Sequence, residues 1–549
     1  MSKIMRRNHF KVAVICLLLA AFTLSFAACG SGNGANAQTP PAANNGAAAD
    51  APTSTEPGSV QSSKDTLVIR LASDPGTIDF AYGEITESLE LFSLVGTRLL
   101  PTMLTEDGLY VTEPNDKYSL AVESIVDDDN LGMTFKLREG VKWQNGDDFT
   151  AEDIAYSIQR YSGIKSWQEW CDFENVKVIN DYEIDVRFTK PFALAETTLG
   201  AMFICNHNTT DPDDPLTVSK NYVGTGAWKI VEWIEGDHIT LERFDDHFAG
   251  VAPIKNIIIR FIQDASVAMM ELETGGVDLV DVPNWPSVKG VLEGNYGDAI
   301  AHSSSCDIMA RQLWFNSQPG KPFNDIRVRK AVMYALDRDA INYGAFEGLG
   351  DTPYTVYSRT MEGAVVLDPW PIEYNIEKAK ELMKEAGYEN GFDAVILNTG
   401  AAEQVLANEI IANQLKEIGI NLTIESFDTP TWISVLTEQP EAWDLTIRGY
   451  GGAFSPGRWF DTQFKVMCHI TAENDPAYAE LEATAREILQ TLDYDKRIEL
   501  TEGIQKVYFD KWAYTYPIQQ ITQHILLAGN LKGVVRAGYY WFMLDAYFE

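Results

Sequence analysis

The sequence predicts a mixed α/β protein, with a sheet-rich first half followed by a second half in which helices and strands alternate. In the first half, residues 227–244 form two alternating patterns joined by a Glu-Gly-Asp turn, which predicts a hairpin. In the second half, residues 392–427 follow a strand–helix–strand order, which favours parallel pairing with a right-handed crossover. Residues 476–512 have the apolar spacing of helices, and the last forty residues return to strand patterns.

The N-terminal segment predicts export and anchoring. Four positive residues precede an apolar run, Val12–Ala28, that is shorter than the roughly twenty residues of a spanning helix and is typical of a signal peptide. The junction Phe26–Cys29 resembles the lipobox of bacterial lipoproteins, which implies that Cys29 is lipidated and becomes the new N-terminus. The alternative is ordinary cleavage beside an unmodified cysteine. Residues 29–64 are rich in Ala, Gly, Asn and Pro and predict a flexible linker.

Composition limits the function classes. The chain has 549 residues and a formal net charge of −36, and its acidic residues are spread along its length. Such a surface repels nucleic acid, so we expect no DNA or RNA partner. The sequence contains no G-x-S-x-G, H-E-x-x-H or phosphate-loop motif, and we therefore expect no enzyme activity. The histidines are not clustered, so we expect no metal and no cofactor.

Four cysteines lie in the body of the chain. Pairing of Cys171 with Cys205 and of Cys306 with Cys468 would keep each disulfide within one predicted domain. Four reduced, buried thiols are the alternative, and the sequence does not decide between them. Their spacing does not indicate a zinc or redox motif.

Several elements of the first half have local signals. Residues 66–73 predict a strand that ends at an Asp-Pro-Gly turn. Residues 133–161 predict strand, turn, strand, turn and helix, with a capping box formed by Thr150 and Asp153 at the helix start. Residues 182–188 predict another strand, and the apolar residues 254–262 predict a strand buried on both faces.

The second half has clear helix starts and stops. Asp325 is expected to cap one helix over residues 326–341, and Asn375 a second helix that ends at Gly387. Residues 443–452 predict a strand that leads into a glycine-rich loop. Residues 224–226, Gly-Thr-Gly, lack the pattern of a dinucleotide loop, and we expect them to be a flexible crossing near a hinge.

Four blocks resemble one family in the same order along the chain. They are similar to the bacterial extracellular solute-binding proteins of the peptide/nickel class (family 5), which feed ABC importers. Trp143, Asn145, Ala227 and Trp228 are mild departures from the family pattern. The blocks are FKLREGVKWQNGDDFTAEDIAYSIQR, VGTGAWKIVEWIEGDHITLERFDDHFAG, ELETGGVDLVD and NSQPGKPFNDIRVRKAVMYALDRDAI.

The resemblance implies a two-lobed periplasmic-binding-protein-like fold with an extra small α/β domain in the N-terminal half. The expected division is signal peptide 1–28; linker 29–64; lobe I 65–105, 220–305 and 515–549; small domain 106–219; and lobe II 306–514. The resemblance also implies a monomer that closes over a ligand between the lobes. Its partners would be an ABC permease and, through the lipid anchor, the extracytoplasmic face of the cell membrane.

One substitution bears on the ligand class. In the peptide binders of the family, an aspartate after a G-W-x-x-D loop pairs with the terminal amine of the peptide, and Ala453 stands at that position here. A buried ammonium needs a carboxylate partner. Asp461 and Asp444 are the nearest acids that could replace it.

The candidate ligand-binding residues surround this loop. Aromatic rings suit apolar side chains or sugar faces, and arginines can meet a ligand carboxylate. Core packing and lobe-internal salt bridges are the alternative roles of these residues. The candidates are Trp314, Arg448, Tyr450, Gly451, Gly452, Ala453, Arg458 and Trp459.

The predicted function is capture of an oligopeptide or similar small solute and its delivery to an ABC importer. An oligosaccharide is the alternative ligand, favoured by the aromatic content and by Ala453. A surface enzyme or a sensor that signals to a membrane receptor are rival functions on the same lobes. The exact ligand, its affinity and the type of cell envelope are not determined by the sequence.

Overall fold

The computed structural model describes residues 64–79, 86–105, 110–211, 221–361, 363–449 and 455–549. The predicted signal peptide, Cys29 and most of the linker lie outside these residues, as do Tyr450, Gly451, Gly452 and Ala453. Across the described ranges, no helix combines the length and apolar character needed to cross a bilayer.

Among the described residues, twenty strands are divided equally between the two halves of the chain. The first half contains β1 (Thr66–Leu71), β2 (Thr102–Leu104), β3 (Tyr110–Thr112), β4 (Ala121–Val126), β5 (Gly132–Leu137), β6 (Cys171–Asn180), β7 (Glu183–Phe188), β8 (Trp228–Ile234), β9 (His238–Arg243) and β10 (Asn256–Phe261). The second half contains β11 (Leu279–Asp281), β12 (Ile300–Phe315), β13 (Phe392–Asn398), β14 (Ile420–Ser426), β15 (Leu445–Gly449), β16 (Thr515–Ala528), β17 (Leu531–Lys532), β18 (Val535–Ala537), β19 (Tyr540–Phe542) and β20 (Tyr547–Phe548).

The helices are concentrated in the second half. Those of the first half are α1 (Thr86–Val95), α2 (Ala151–Arg160), α3 (Lys165–Gln168), α4 (Ala195–Gly200) and α5 (Ala265–Thr274). The others are α6 (Trp285–Leu292), α7 (Ile326–Ala335), α8 (Arg338–Phe346), α9 (Ile376–Glu385), α10 (Ala402–Leu415), α11 (Thr429–Glu438), α12 (Pro456–Arg458), α13 (Phe464–Met467), α14 (Pro476–Gln490) and α15 (Tyr494–Lys511).

Ten strands form one mixed sheet in the order β14-β13-β15-β12-β16-β11-β1-β10-β9-β8. As predicted, β13 and β14 pair in parallel across helix α10, and β8 and β9 form an antiparallel hairpin. The hairpin turns at Gly236, whose φ of 73° favours glycine. The α/β half and the hairpin half are therefore joined through a single sheet.

Two long strands in the middle of this sheet connect two hydrophobic cores. The first core is built from residues 67–95, 203–279 and 525–548, and the second core from residues 313–518. Strands β12 and β16 pair antiparallel from Ile300 to Trp314, and their register shifts twice, between Cys306 and Ala310 and between Arg311 and Gln312. The register is thus irregular where the strands leave one core for the other.

A separate four-stranded sheet, β4-β5-β7-β6, belongs to a third core of residues 99–204. Helix α2 packs in this core through Ile154 and Ile158. It begins with the predicted capping box, in which the Asp153 carboxylate accepts a hydrogen bond from the Thr150 backbone N–H at 3.0 Å. The three cores agree with a division into two lobes and a small domain, whose exact boundaries stay predictions.

Three local predictions differ from the structure. The single helix expected over 326–341 is two helices, because Leu336 is extended and Asp337 caps α8 as a new start. The strand expected around Val141 is only an isolated bridge between Lys142 and Asp148. Strand β10 alternates between buried and half-buried residues and is not buried on both faces.

The Gly-Thr-Gly segment at 224–226 is tightly packed, which overturns the prediction of a flexible crossing. A Cβ atom at either glycine would overlap the backbone of Val95. The Thr225 side chain is buried, and the Gln144 side chain donates to the Gly226 carbonyl at 3.0 Å and accepts from the Gly224 N–H at 3.0 Å. These glycines allow two backbone segments to approach closely.

Three of the four cysteines considered for disulfides are unpaired in the structure. Cys171, Cys205 and Cys468 are free and buried, so the structure does not contain the considered Cys171–Cys205 disulfide. Burial raises the pKa of the Cys171 and Cys205 thiols to about 12, which keeps both protonated and unreactive at neutral pH.

We predict that Gly226→Ala destabilises the protein by about 1–3 kcal/mol, because the new methyl group must displace the backbone at Val95. The matched control is Gly503→Ala on the exposed face of α15, where a Cβ meets nothing within 4 Å. That variant should be more stable by up to about 1 kcal/mol, because alanine is the better helix former. Thermal unfolding midpoints test both, and equal midpoints for the two variants would mean that the 224–226 segment tolerates a side chain.

Candidate functional site

A cleft of about 460 Å³ lies between the first and second cores. One wall contains Trp285 of α6 and Arg536 of β18. The opposite wall contains Ala345 of α8 and Glu403 of α10. Clefts of this size between packed units are the usual position for a small-molecule site.

The floor of the cleft is formed by β12 and β16, the two strands that run from one core to the other. Met309 and Arg311 project from β12, and Ile521 and His524 from β16. The strands that join the two cores therefore also supply the surface that a ligand would meet.

Arg311 is held in place while part of its guanidinium surface faces the cleft. Its side chain is 14% exposed. One N–H group donates to the Gln519 side-chain oxygen. The guanidinium carbon lies 4.7 Å from the Phe346 ring centre and 5.9 Å from the Trp285 ring centre, which are cation–π distances. This packing orients a permanent positive charge at the cleft.

Glu403 places a negative charge beside Arg311. It lies in the first turn of α10, where the positive end of the helix dipole favours a carboxylate. Its carboxylate oxygen is 4.0 Å from an Arg311 nitrogen, and its side chain is 27% exposed. That separation is too long for a direct hydrogen bond, so the two groups form a loose ion pair at the cleft surface.

Helix α6 connects the two sides of the cleft. Its Val291 packs on a small cluster beneath β11, whereas the half-buried ring of Trp285 packs against the second core. The Trp285 ring lies 5.8 Å from the Phe346 ring in a T-shaped contact. One turn later, Lys289 donates to the Glu347 carboxylate at 2.8 Å. Both contacts connect α6 to the C-terminal end of α8 beside the cleft.

His524 gives the cleft a buried neutral polar group. Its Nδ1 lies 2.9 Å from Nε2 of His302, and its side chain is 9% exposed. Burial, and after it the neighbouring His302, lower the pKa of His524 to about 4, so it is neutral at pH 7. Its Nε2 has no hydrogen-bond partner among the described residues, and buried polar atoms normally have one.

Arg536 lies at the other end of the cleft in a buried ionic cluster. It donates to Asp281 and, at 2.5 Å, to Glu90, and all three side chains are at most 3% exposed. Burial and the nearby Asp281 raise the pKa of Glu90 well above its usual value, while Arg536 opposes the shift. The Arg536 charge is therefore balanced within the protein.

The two candidate tryptophans are core residues in this structure. Trp314 and Trp459 are 0% and 2% exposed, and their ring centres are 5.9 Å apart. The Trp314 indole N–H donates to the Arg448 carbonyl at 3.2 Å. Neither ring contributes surface to the cleft, which corresponds to the alternative role that the sequence left open for them.

The two candidate arginines also lie away from the described lining of the cleft. The Arg448 guanidinium lies 5.4 Å from the Trp432 ring centre and 3.4 Å from the Met467 sulfur. Arg458 is half-buried in the short helix α12, which packs on α14. The structure therefore does not bring the described candidates together at one surface.

Strand β15, which precedes the glycine-rich segment, nevertheless ends beside the cleft. Gly449, the last described residue before the loop, pairs with Arg311 in the register of β12 and β15. A Cβ on Gly449 would lie 3.0 Å from Ile521 and 3.4 Å from Met309, both of which line the cleft. Roles for Tyr450, Gly451, Gly452 and Ala453 in ligand binding stay predictions.

The acids considered as replacements for the missing aspartate are engaged elsewhere. Asp444 accepts from Lys321 at 3.0 Å and from the Val395 backbone N–H at 2.9 Å. Asp461 lies 3.2 Å from the Lys465 ammonium and 3.3 Å from the Arg486 guanidinium. Among the cleft residues that the structure describes, Glu403 is the acid without such close partners.

Sequence reasoning missed Trp285, Arg311, Glu403 and His524. Each is an isolated polar or aromatic residue, and only the pairing of β12 with β16 and the placement of α6 and α10 bring them together. No local pattern in the sequence marks Arg311, which lies on β12 three residues before Trp314. Within the described ranges, no group of three or more His, Cys, Asp or Glu side chains is arranged to hold a metal ion.

Solved structures with the same fold include two transport proteins. The ABC transporter substrate-binding protein CtaP of Listeria monocytogenes superposes with a TM-score of 0.75 at 21% identity, covering 88% of this chain and 99% of that one. The periplasmic binding protein DppA of Helicobacter pylori, solved with the peptide STSA, superposes with a TM-score of 0.74 at 22% identity, covering 88% and 98%. The fold is the predicted two-lobed α/β fold.

Curated relatives match part of the chain. The glutathione-binding protein GsiB of Escherichia coli O1:K1 is 29% identical over 327 residues, which are 57% of this chain. The chain spans 61% of the length of that relative.

The family model for bacterial extracellular solute-binding proteins, family 5 (middle region), matches residues 117–465. These residues make up more than half of the sequence and include most of the second core and the Arg311 and Glu403 sides of the cleft. The chain belongs to the bacterial extracellular solute-binding proteins of family 5.

Proposed function

We propose that this protein captures an oligopeptide or a similar small solute in the cleft between the two cores and delivers it to an ABC importer. The importer permease would recognise the closed, ligand-bound form. The protein would be monomeric and held at the extracytoplasmic face of the membrane by lipid on Cys29. It would bind its ligand without chemical turnover.

The cleft itself is the observation on which this proposal rests. It lies where two cores are joined by β12 and β16, its floor comes from those strands, and its walls come from opposite cores. A ligand that touches both walls stabilises the arrangement in which they are close, because its affinity differs between open and closed forms.

A peptide fits the described lining better than an oligosaccharide. The sugar alternative rested on the aromatic content and on Ala453. Of the tryptophans, Trp314, Trp443 and Trp459 are buried in the second core, and Trp285 is the one of these four that lines the cleft. The cleft instead presents the charges of Arg311 and Glu403, which suit charged ligand groups. The peptide held by the Helicobacter pylori structure and the glutathione named for the curated relatives support the same ligand class.

We predict that di- to hexapeptides raise the thermal unfolding midpoint of the purified protein. A ligand at 100 times its dissociation constant stabilises by about 2.7 kcal/mol, which gives a measurable shift. The screen should contain N-acetylated copies of the best peptides and a set of oligosaccharides. Recovery of the ligand unchanged after incubation tests binding without turnover.

The outcomes of this screen separate the ligand classes. Shifts with free peptides that are lost on N-acetylation mean that a protein carboxylate binds the ammonium despite Ala453. Shifts with oligosaccharides alone contradict the peptide proposal but leave solute binding intact. If no solute of either class shifts the midpoint, the proposed function itself is wrong.

The lipid anchor has its own test. We predict that Cys29→Ser abolishes labelling with radioactive palmitate and moves the protein from the membrane fraction to the soluble fraction, because buried acyl chains supply about 0.8 kcal/mol per methylene. Cys16→Ser, a cysteine inside the apolar segment, is the matched control and should leave labelling unchanged. Membrane association of the Cys29 variant equal to that of the unaltered protein would contradict the anchor.

A further inference from the structure

We propose that a second cavity, at the junction of the first and third cores, binds a small monovalent anion such as chloride or formate against Arg98. Its volume is about 50 Å³, and none of its described lining residues lines the cleft. The bound anion would stabilise the fold at this junction. The inference goes beyond the proposed function, because it concerns a different site and a different ligand.

The cavity lies where the chain passes from the first core to the third. Arg98 directly precedes Leu99 and Leu100, which are buried in the third core, and its carbonyl accepts a hydrogen bond from the Leu120 N–H at 2.9 Å. The apolar part of the wall comes from the first core and includes Phe92, Trp228, Trp541 and Phe542. A space of about 50 Å³ exceeds the roughly 10–15 Å³ that one water molecule requires, so a small ion has room there.

Arg98 is buried in this cavity without hydrogen-bond partners for the ends of its guanidinium group. The residue is 6% exposed, and its Nη1 and Nη2 atoms have no partner among the described residues. An arginine side chain stays charged in proteins, and a buried charge is costly unless it is paired. The N–H groups of Arg98 therefore require an acceptor inside the cavity, and a negatively charged acceptor also balances the charge.

Stacking on an aromatic ring does not meet this requirement. The Arg98 guanidinium carbon lies 3.4 Å from the Tyr540 ring centre and 5.7 Å from the Phe203 ring centre. At 3.4 Å the guanidinium and the Tyr540 ring lie roughly parallel, because an N–H group aimed at the ring would come too close to it. The contact stabilises the cation through its face and leaves the N–H groups, which lie in the guanidinium plane, directed past the ring.

The charges around the cavity favour a monovalent anion. No aspartate or glutamate is among the described lining residues, although the chain has a formal net charge of −36. Lys117 also lines the cavity, but it is 49% exposed and contacts the Asp545 carboxylate at 2.6 Å. His247 is neutral at pH 7, because burial lowers its pKa to about 4. One buried positive charge remains, and one negative charge balances it.

The polar groups of the wall favour a small anion over sulfate or phosphate. The Ser93 hydroxyl already donates to a backbone carbonyl at 2.6 Å, and the Thr97 hydroxyl to another at 3.1 Å. The Thr102 hydroxyl is bonded to that of Thr112 at 2.9 Å. Arg98 is therefore the main donor, and its fork of N–H groups suits one halide or the two oxygens of a carboxylate. The second charge of a divalent anion would stay unbalanced.

The first test is thermal unfolding of the purified protein at constant sodium concentration, with chloride exchanged for gluconate. Constant sodium keeps the screening of the acidic surface unchanged, and gluconate is too large for the cavity. We expect the midpoint to rise by about 1–3 °C as chloride increases from about 10 to about 500 mM, because stabilisation follows the logarithm of the ligand concentration above the dissociation constant. Formate in place of chloride shows whether a carboxylate uses the same site.

Two variants assign the effect to Arg98. Arg98→Met keeps an aliphatic chain of similar length and removes the charge, so the chloride-dependent rise should be lost. In gluconate this variant should be at least as stable as the unaltered protein, because it has no uncompensated buried charge. Arg486→Met is the matched control, an arginine on α14 whose side chain is 57% exposed, and should keep the rise.

Diffraction from crystals of the unaltered protein grown in bromide gives a second measurement, which decides the question even if Arg98→Met does not fold. We expect an anomalous peak in contact with Nη1 and Nη2 of Arg98. Such a peak, together with a rise in chloride or formate, supports the inference. A rise that persists in Arg98→Met, or the absence of a peak at Arg98, overturns it. A peak without any rise in either anion means an adventitious ion only and also overturns it. None of these outcomes bears on solute binding in the cleft.

Discussion

The antiparallel pairing of β12 with β16 is the constraint on which the rest of this molecule depends. The two strands run together from Ile300 to Trp314 and from Thr515 to Ala528, and one end of the pair is buried in each core. The register shifts twice, between Cys306 and Ala310 and between Arg311 and Gln312, in the stretch that lies between the two cores. The same stretch supplies Arg311 and His524 to the cleft. The same backbone therefore both joins the cores and supplies polar side chains to the cleft.

Buried charges in and below the cleft are arranged so that few remain unbalanced. Arg536 links Glu90 of α1 with Asp281 of β11, and Arg70 of β1 donates to the Asp281 carbonyl at 2.6 Å. Removing one member of such a cluster would leave an uncompensated buried charge, which is costly. By contrast, the Arg311 and Glu403 side chains keep 14% and 27% of their surface exposed, and their nearest charged atoms are 4.0 Å apart.

Local signals in the sequence predicted most elements correctly, because those signals act over a few residues. The Thr150–Asp153 capping box, the Asn375 cap and the hairpin turn at Gly236 are all present in the structure. The break between α7 and α8 was missed because the apolar spacing continues through Leu336, and only the Asp337 cap marks a new start.

The candidate site was predicted less well, for a physical reason. Tryptophans near a glycine-rich loop were plausible ligand contacts, but Trp314 and Trp459 fill the second core, where a large ring buries the most apolar surface. The residues that do line the cleft are far apart in sequence. Glu403 and Arg311 meet only because β15 lies between β13 and β12 in the sheet, and this strand order is a long-range property that no local pattern encodes.

The central claim is that ligand binding stabilises the stretch of β12 and β16 that lies between the two cores. Hydrogen exchange measured by mass spectrometry, with and without the best ligand of the peptide screen, tests this claim. The account predicts that ligand binding slows amide exchange in residues 304–312 of β12 and 518–524 of β16. Exchange in β1 and β10, which lie inside the first core, should not change. A ligand that shifts the thermal midpoint but leaves exchange at the crossing unaltered would contradict the account.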